Sequence, residues 1–380
     1  MERKMERVRI GIIGAGIIGK SHMEQYAAID GAELVAVCDI NEAAAAQAAG
    51  QYGIPHLYAD IRAMLARDDL DAVDVCLHNN FHAPVAIAAM RAGKHVYCEK
   101  PIAGTYADGR AMSEAAEETG KKLHVQLSTL YKKETKAAKS LIDAGSLGKL
   151  YHARSNGFRR RGRPFVDGFG AAPFTRKETA GGGALLDMGV YHIAQLLYLL
   201  GTPDISRITG KLYQEMEMDA ARRESSGFDV EELALGFVTF RDGLTMDINE
   251  AWSVHLGGYE GSSIVGSKGG IRLPAYDSAK PTAPFSFHTT IADLDLDSTL
   301  DMDRMDIRRH RMNPNEDAYD SSQQHWIAAL QGRVELLPTA RIALDTMLIS
   351  EGIYAADARG GEVNAEEVRA LSRSAAVPMG

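Results

Sequence analysis

Short runs that are apolar throughout alternate with helix-forming stretches over about the first 125 residues, and this alternation constrains the fold more than any other feature of the chain. The runs are VRIGIIG from Val8, ELVAVCDI from Glu33, AVDVCL from Ala72, HVYCEK from His95 and LHVQLS from Leu123. Between them stand SHMEQYAAI, NEAAAAQAAGQYG, IRAMLARDDL, APVAIAAMRAG and YADGRAMSEAAEETG, all rich in helix formers. A strand wet on one face shows a polar residue at every second position. These runs do not, so both faces are covered, and crossovers of about 10–15 helical residues make neighbouring strands parallel.

Into that context falls GIIGAGIIGKSH, with Gly14, Gly16 and Gly19 spaced as G-x-G-x-x-G between a strand and a helix. Gly14 permits a tight turn, Gly16 lets a pyrophosphate approach the backbone, and Gly19 allows close contact of helix and sheet. Ile17 and Ile18 lie within the motif and are counted with it. Asp39 ends the second strand, about twenty residues beyond Gly19, where a carboxylate can hold the adenosine ribose hydroxyls. The combination predicts a dinucleotide-binding Rossmann domain. Asp39 would repel a 2′-phosphate, which favours NAD. Lys20 or Arg62 swinging in would admit NADP.

After about Val125 the texture changes. ETKAAKSLIDAGSLG reads as a helix, KLYHARSNGF as a strand and RRRGRPFVDGFGAAPFTRKETA as a long polar loop. ISRITGKLYQEM, EELALGFVTF, LTMDINEAWSV, YEGSSIVGSKGGIRLP and PFSFHTTIA alternate polar and apolar residues, as antiparallel strands with one covered face do. DSSQQHWIAALQG and TARIALDTMLISEGIYAADARG read as late helices, and DLDLDSTLDMDRMDIRRHRMNPNED as a charged surface loop. The expected division is a Rossmann domain over residues 1–125, then an α+β domain over 126–380 with a large open, mostly antiparallel sheet. The late helices are candidates to pack back on the first domain.

GGGALLDMGVYHIAQLLYLLG, Gly181 to Gly201, reads as a buried helix that nonetheless carries Asp187, Tyr191 and His192. A bare carboxylate in apolar surroundings costs several kcal/mol unless it is paired. The three groups therefore either satisfy one another or are kept for chemistry.

The ordered set GIIGAGIIGKSH, CDIN, AGKHVYCEKPIAGT, AGSLGK and GGGALLDMGVYHI resembles the glucose–fructose oxidoreductase/inositol dehydrogenase family, from about residue 8 to about residue 355. The resemblance implies hydride transfer between NAD(P) and a hydroxyl or keto carbon of a sugar, cyclitol or related polyol. It implies that Lys100, in Glu99-Lys100-Pro101, is catalytic and that Glu99 contacts the nicotinamide ribose. It makes Asp187 the aspartate of the second-domain helix, with the acid/base four residues on. That position, commonly His and in some members Tyr, is Tyr191 here, with His192 next. HNNFH replaces a Thr-Pro-Asn-like run, and through it Asn80 and His82 are carried over as cofactor contacts. Lys100, Gln126, Tyr131, Arg160, Asp187, Tyr191 and His192 are the candidate substrate contacts.

In a regular α-helix a residue at +4 lies about 40° from the reference position and one at +5 about 140° away. Tyr191 would then share a face with Asp187 and His192 would be turned aside, so Tyr191 is the expected proton carrier. A widened turn near Gly189 would reverse this by rotating His192 inward. Arg159, Arg160, Arg161 and Arg163 read as a solvated loop or as a grip on an acidic substrate.

A net charge of −9 disfavours nucleic acid as a partner. Cys38, Cys76 and Cys98 sit in strand-like runs and read as reduced and buried, without a disulfide framework. The amino-terminal residues lack the pattern of a secretory signal, and no apolar run of about 18 residues stands out to span a membrane. No His/Cys cluster has ligand spacing, so no metal is expected. The reading is a cytoplasmic enzyme that binds a small-molecule sugar or polyol and assembles as a homodimer or homotetramer through its open sheet. Two alternatives stay open: an NAD-retaining, glycosidase-like enzyme working by transient oxidation, and a non-catalytic, cofactor-sensing regulator on the same fold.

Overall fold

A computed structural model describes residues 6–168, 172–277 and 280–379. The chain divides into two compact units. The first comprises residues up to Ser128, Arg309–Arg341 and the segment from Ser374 onward; the second comprises Thr129–Arg308 and Ile342–Arg373. Residues 169–171 of the long polar loop fall outside the described residues.

The first unit is built on six parallel strands in the order β3-β2-β1-β4-β5-β6: β1 (Val8–Ile13), β2 (Ala32–Cys38), β3 (His56–Tyr58), β4 (Ala72–Val75), β5 (His95–Cys98) and β6 (Leu123–Val125). Between them run α1 (Ile17–Ala27), α2 (Glu42–Tyr52), α3 (Ile61–Leu65), α4 (Asn79–Arg91) and α5 (Tyr106–Thr119). Local chemistry sets the ends. Asn41 caps α2 by accepting the Ala44 N–H at 3.1 Å, and Gly53 closes that helix at φ +67°. Val8, Ile10, Ile12, Val37, Ala45 and Ala48 form a dry core with Trp326 and Ile327 of a late helix, Ser322–Leu330. Strand order reverses direction between β1 and β4, and the glycine motif stands at the carboxyl end of β1, where ligands bind in sheets of this kind.

The second unit carries a nine-stranded, mostly antiparallel sheet that includes four strands central to the site: β7 (Leu150–Phe158), β8 (Ile205–Tyr213), β9 (Leu233–Phe240) and β10 (Thr245–Ala251). β10 pairs with β7 in parallel and with β9 antiparallel. The fold class read from the sequence is thus the fold found. One face of the sheet is covered: Ala153, Ser155, Gly157, Met246, Ile248, Glu250, Ala234 and Val238 are buried or in close contact with neighbours. The other face shows Arg154, Asp247, Leu235 and Phe237, the last 42% exposed.

Two expectations are corrected. The charged stretch read as a loop contains a strand, Leu294–Ser298, and a helix, Met302–Met312. That helix buries none of its residues, so it lacks the apolar periodicity that would have marked it. The stretch Lys177–Leu200, interrupted at residues 181–183, is also long and apolar enough to cross a membrane by length and composition, against the expectation that none is. Here 72% of its apolar window is buried inside the protein, so its side chains are satisfied by packing.

Candidate active site

The first unit presents a cradle for a dinucleotide. Gly14 has φ +103°, and a Cβ there would lie 2.3 Å from the Cys76 carbonyl oxygen; one on Gly19 would lie 1.9 Å from the Gly14 carbonyl oxygen. A Cβ on Gly16 would meet nothing within 4 Å, which leaves room for a phosphate in front of the α1 N-terminus. Asp39 is anchored beside this turn, accepting the Ala15 N–H at 2.7 Å and the Asn41 N–H at 2.8 Å. Ile17 (88% exposed), Ile18 and Ile40 (92% exposed) offer apolar surface around it. Turn, carboxylate and apolar surface together fit a bound dinucleotide.

At the end of β5 the Glu99 carboxylate accepts the Lys100 N–H at 2.8 Å, and the Lys100-Pro101 peptide is cis. Burial opposes charge on Glu99, but the His22 hydrogen bond and the Lys100 charge outweigh it and hold its pKa below the usual range. Asn80 is the second residue of α4, packed so closely on Gly104 that a Cβ there would sit 1.9 Å from Asn80 Oδ1. His82 is fully buried, with Nδ1 2.9 Å from the Pro101 carbonyl oxygen and Nε2 3.0 Å from that of Leu77. Burial pushes its pKa down against these two carbonyl contacts, which place the ring between Leu77 and the Lys100-Pro101 turn. Gln126, almost buried, accepts the Tyr97 hydroxyl at 2.8 Å.

The second unit resolves the question of the polar groups in the oily helix. Leu185–Gly189 is a π-turn that leads into an α-helix, Val190–Leu200. The angles expected of a regular helix therefore do not hold here, because a π-turn spaces its bonds i to i+5. His192 Nδ1 lies 3.0 Å from Glu250 Oε2 and 3.2 Å from Oε1. The Glu250 side chain is wholly buried and also accepts the Ser155 hydroxyl at 2.8 Å, while the imidazole is 29% exposed. Among the described residues, His192 Nε2 has no hydrogen-bond partner. Asp187 Oδ2 accepts the Trp252 indole N–H at 3.0 Å and lies 3.6 Å from Arg159 Nη1. Tyr191 is half-buried, and its carbonyl oxygen accepts the Thr129 hydroxyl at 3.1 Å.

The glycines that open this segment make it possible. Glu231, buried, accepts the N–H groups of Gly183 and Leu185 and the Tyr354 hydroxyl, so a carboxylate caps the turn. A Cβ on Gly183 would stand 2.0 Å from the Glu231 carbonyl oxygen, and one on Gly182 would stand 1.9 Å from the Tyr354 hydroxyl.

Of the basic loop, Arg159 reaches Asp187, whereas Arg160 is exposed and uses its backbone carbonyl to accept the Val254 N–H. Arg163 is neither a solvated charge nor a free grip: it is 1% exposed and bound to Asp167 and Glu232, both at 2.9 Å. Tyr131 is buried in a short 3₁₀ turn. Sequence reasoning missed Glu250, Trp252 and His22, and it named Arg159 without its Asp187 partner. A signal for Glu250 exists, because it continues the phase of Met246 and Ile248 on the apolar face of its strand. The fold also gathers His22, Asp74 and Cys76, a group that sequence spacing did not suggest. Burial pushes the Cys76 thiol up, so it is a thiol hydrogen-bonded to Asp74. All three cysteines are free, with Cys76 half-buried and the other two buried.

Residues 8–127 match the model of the GFO/IDH/MocA oxidoreductase family with an NAD-binding Rossmann fold, and residues 135–272 match the GFO/IDH/MocA C-terminal domain. The D-glucoside 3-dehydrogenase of Escherichia coli (strain K12) is 32% identical over 278 residues, spanning 71% of this chain and 78% of that enzyme. The chain belongs to the GFO/IDH/MocA family. Inositol 2-dehydrogenase of Salmonella typhimurium (strain LT2) is 37% identical over 153 residues, which cover 39% of this chain and 45% of that enzyme. A structure of levoglucosan dehydrogenase with NADH and levoglucosan superposes with a TM-score of 0.75 over 94% of this chain and 99% of that one. Its 20% identity speaks to the fold alone. The family match makes this chain an NAD-binding oxidoreductase of the GFO/IDH/MocA type, and the relatives just named are a glucoside and an inositol dehydrogenase.

Proposed function

We propose that this GFO/IDH/MocA protein oxidises a secondary hydroxyl of a sugar or cyclitol, or reduces the matching ketone, with the His192–Glu250 pair handling the proton. NAD, when bound, supplies hydride acceptance and return. The chain's own residues would hold the cofactor through Gly14, Gly16, Gly19 and Asp39 and manage charge. The observation that carries the reading is the wholly buried Glu250 carboxylate on His192 Nδ1, with the other ring nitrogen left open on a partly exposed imidazole. A base held by a buried acid in one tautomer is the arrangement by which an imidazole takes a hydroxyl proton. This reading replaces Tyr191 by His192 as the proton carrier, because the π-turn removes the geometric argument for Tyr191. Asp187, held by Trp252 and Arg159, is a hydrogen-bond acceptor for a neighbouring substrate hydroxyl, and Lys100 enters as the cation of the E-K-P motif. The three free cysteines suit a cytoplasmic setting.

The test has two parts. A panel of cyclitols, aldoses and anhydrosugars is assayed with NAD and with NADP by absorbance of the reduced nicotinamide. On the best substrate, His192→Asn should lower kcat by about 10² to 10⁴ and Tyr191→Phe by less than about tenfold. The opposite order would return the role to Tyr191. NAD retained through purification without net NADH production on any alcohol would favour the transient-oxidation alternative.

A further inference from the structure

The buried cluster beneath the Lys100 turn has a role that the reading above leaves unused. His22 lies on α1, Asp74 in β4, and Glu99 immediately after β5. His22 Nδ1 is 2.9 Å from Asp74 Oδ2, and Nε2 is 2.9 Å from Glu99 Oε1. The side chains of His22 and Asp74 are 3% and 0% exposed. A neutral imidazole has one N–H, so with carboxylate oxygens at both nitrogens it would set a lone pair against a lone pair. Only the doubly protonated ring satisfies both. Burial opposes that charge, but Asp74 and the Cys76 contact hold the His22 pKa well above its ordinary value. The other Glu99 oxygen, Oε2, accepts the Lys100 N–H at 2.8 Å. Glu99 thus has one oxygen on the cation below it and one on the backbone of the next residue.

We infer that His22, locked by Asp74, is a positioning residue that acts through Glu99 to fix the backbone at Lys100 and so to aim the lysine. The inference rests on the reading of Lys100 as catalytic. A cluster that merely held the first unit together would affect stability and cofactor binding. A positioning cluster acts on the chemical step and becomes irrelevant once the lysine is gone.

The experiment is a double-mutant cycle on the full-length enzyme with a substrate found by the panel, run with its carbinol-deuterated form. His22→Gln should keep the NAD Kd within about threefold, lower kcat by about ten- to a hundredfold, and raise the primary isotope effect as hydride transfer becomes limiting. His22→Gln/Lys100→Ala should be no slower than Lys100→Ala alone by more than about threefold. Asp74→Asn, which keeps side-chain shape, serves the same cycle if His22→Gln does not fold. The inference fails if His22→Gln turns over at the wild-type rate, or if its loss multiplies with that of Lys100→Ala. Lys100→Ala alone retaining near-wild-type kcat would sink the lysine reading instead, and the two failures are told apart by that single variant.

Discussion

Gly157→Ala would test the His192–Glu250 pair without removing either member. Gly157 is in β7 directly across from Glu250 in β10. A Cβ at Gly157 would lie 1.9 Å from Glu250 Oε2 and 2.8 Å from His192 Cε1 and Nδ1. Ordinary contact begins near 3.4 Å, so the carboxylate must retreat by 3.4 − 1.9 = 1.5 Å. It has nowhere dry to go, being wholly buried and bound to Ser155. The backbone does not oppose alanine, because Gly157 is not among the residues with positive φ. The cost is therefore overpacking, about 1–3 kcal/mol, which lowers Tm by a few to roughly ten degrees. The effect on rate should be larger in proportion, since misplacing a catalytic group by about 1 Å costs about a hundredfold. Thermal unfolding by circular dichroism and steady-state kcat with NAD, measured on one preparation, separate the two effects. A folded Gly157→Ala protein with wild-type kcat would refute the claim that Glu250 orients His192.

Three further outcomes are expected. Because Asp39 faces the glycine turn, kcat/KM should be higher with NAD than with NADP; a tenfold preference for NADP would overturn its role as a ribose ligand. The raised His22 pKa implies that its stabilising effect is full below the unfolded value of about 6.5 and is lost as pH rises through the folded value. The Tm gap between wild type and His22→Gln should therefore narrow from pH 6 to pH 9, and a constant gap would contradict the protonated bridge. The open sheet face, with Leu233, Leu235 and Phe237 in β9, should be covered by a second copy, giving at least a dimer by light scattering at micromolar concentration; a monomeric mass would rule this out.

How much of this was legible in the sequence depended on the range of the interaction. The parallel sheet of the first unit was read nearly whole, because doubly covered strands and a phosphate-binding turn are written in neighbouring residues. Even there the three-residue β3 gave no signal, being too short for any pattern. Asp187 and His192 stood out because a polar group in an oily run is conspicuous. Their partners did not, because Glu250 lies 58 residues from His192 and Trp252 lies 65 from Asp187, so only the sheet register joins them. Arg163 was misjudged for the same reason: four basic residues within a stretch of five look solvated until Glu232, 69 residues on, is brought against one of them. The π-turn is a matter of backbone hydrogen bonding that no side-chain periodicity declares.

That turn has a consequence for how such enzymes diversify. A phenol and an imidazole stand side by side at Tyr191 and His192, and which one is offered depends on the pitch of the five residues before them. Tightening that turn to a regular helix would shift the register by about one residue, the step that separates the two. On the role proposed for His192, the winding set by Glu231 on the Gly183 and Leu185 N–H groups matters as much as the identity of the side chain that is offered. The chemistry of the pocket is held in reserve by winding rather than by substitution.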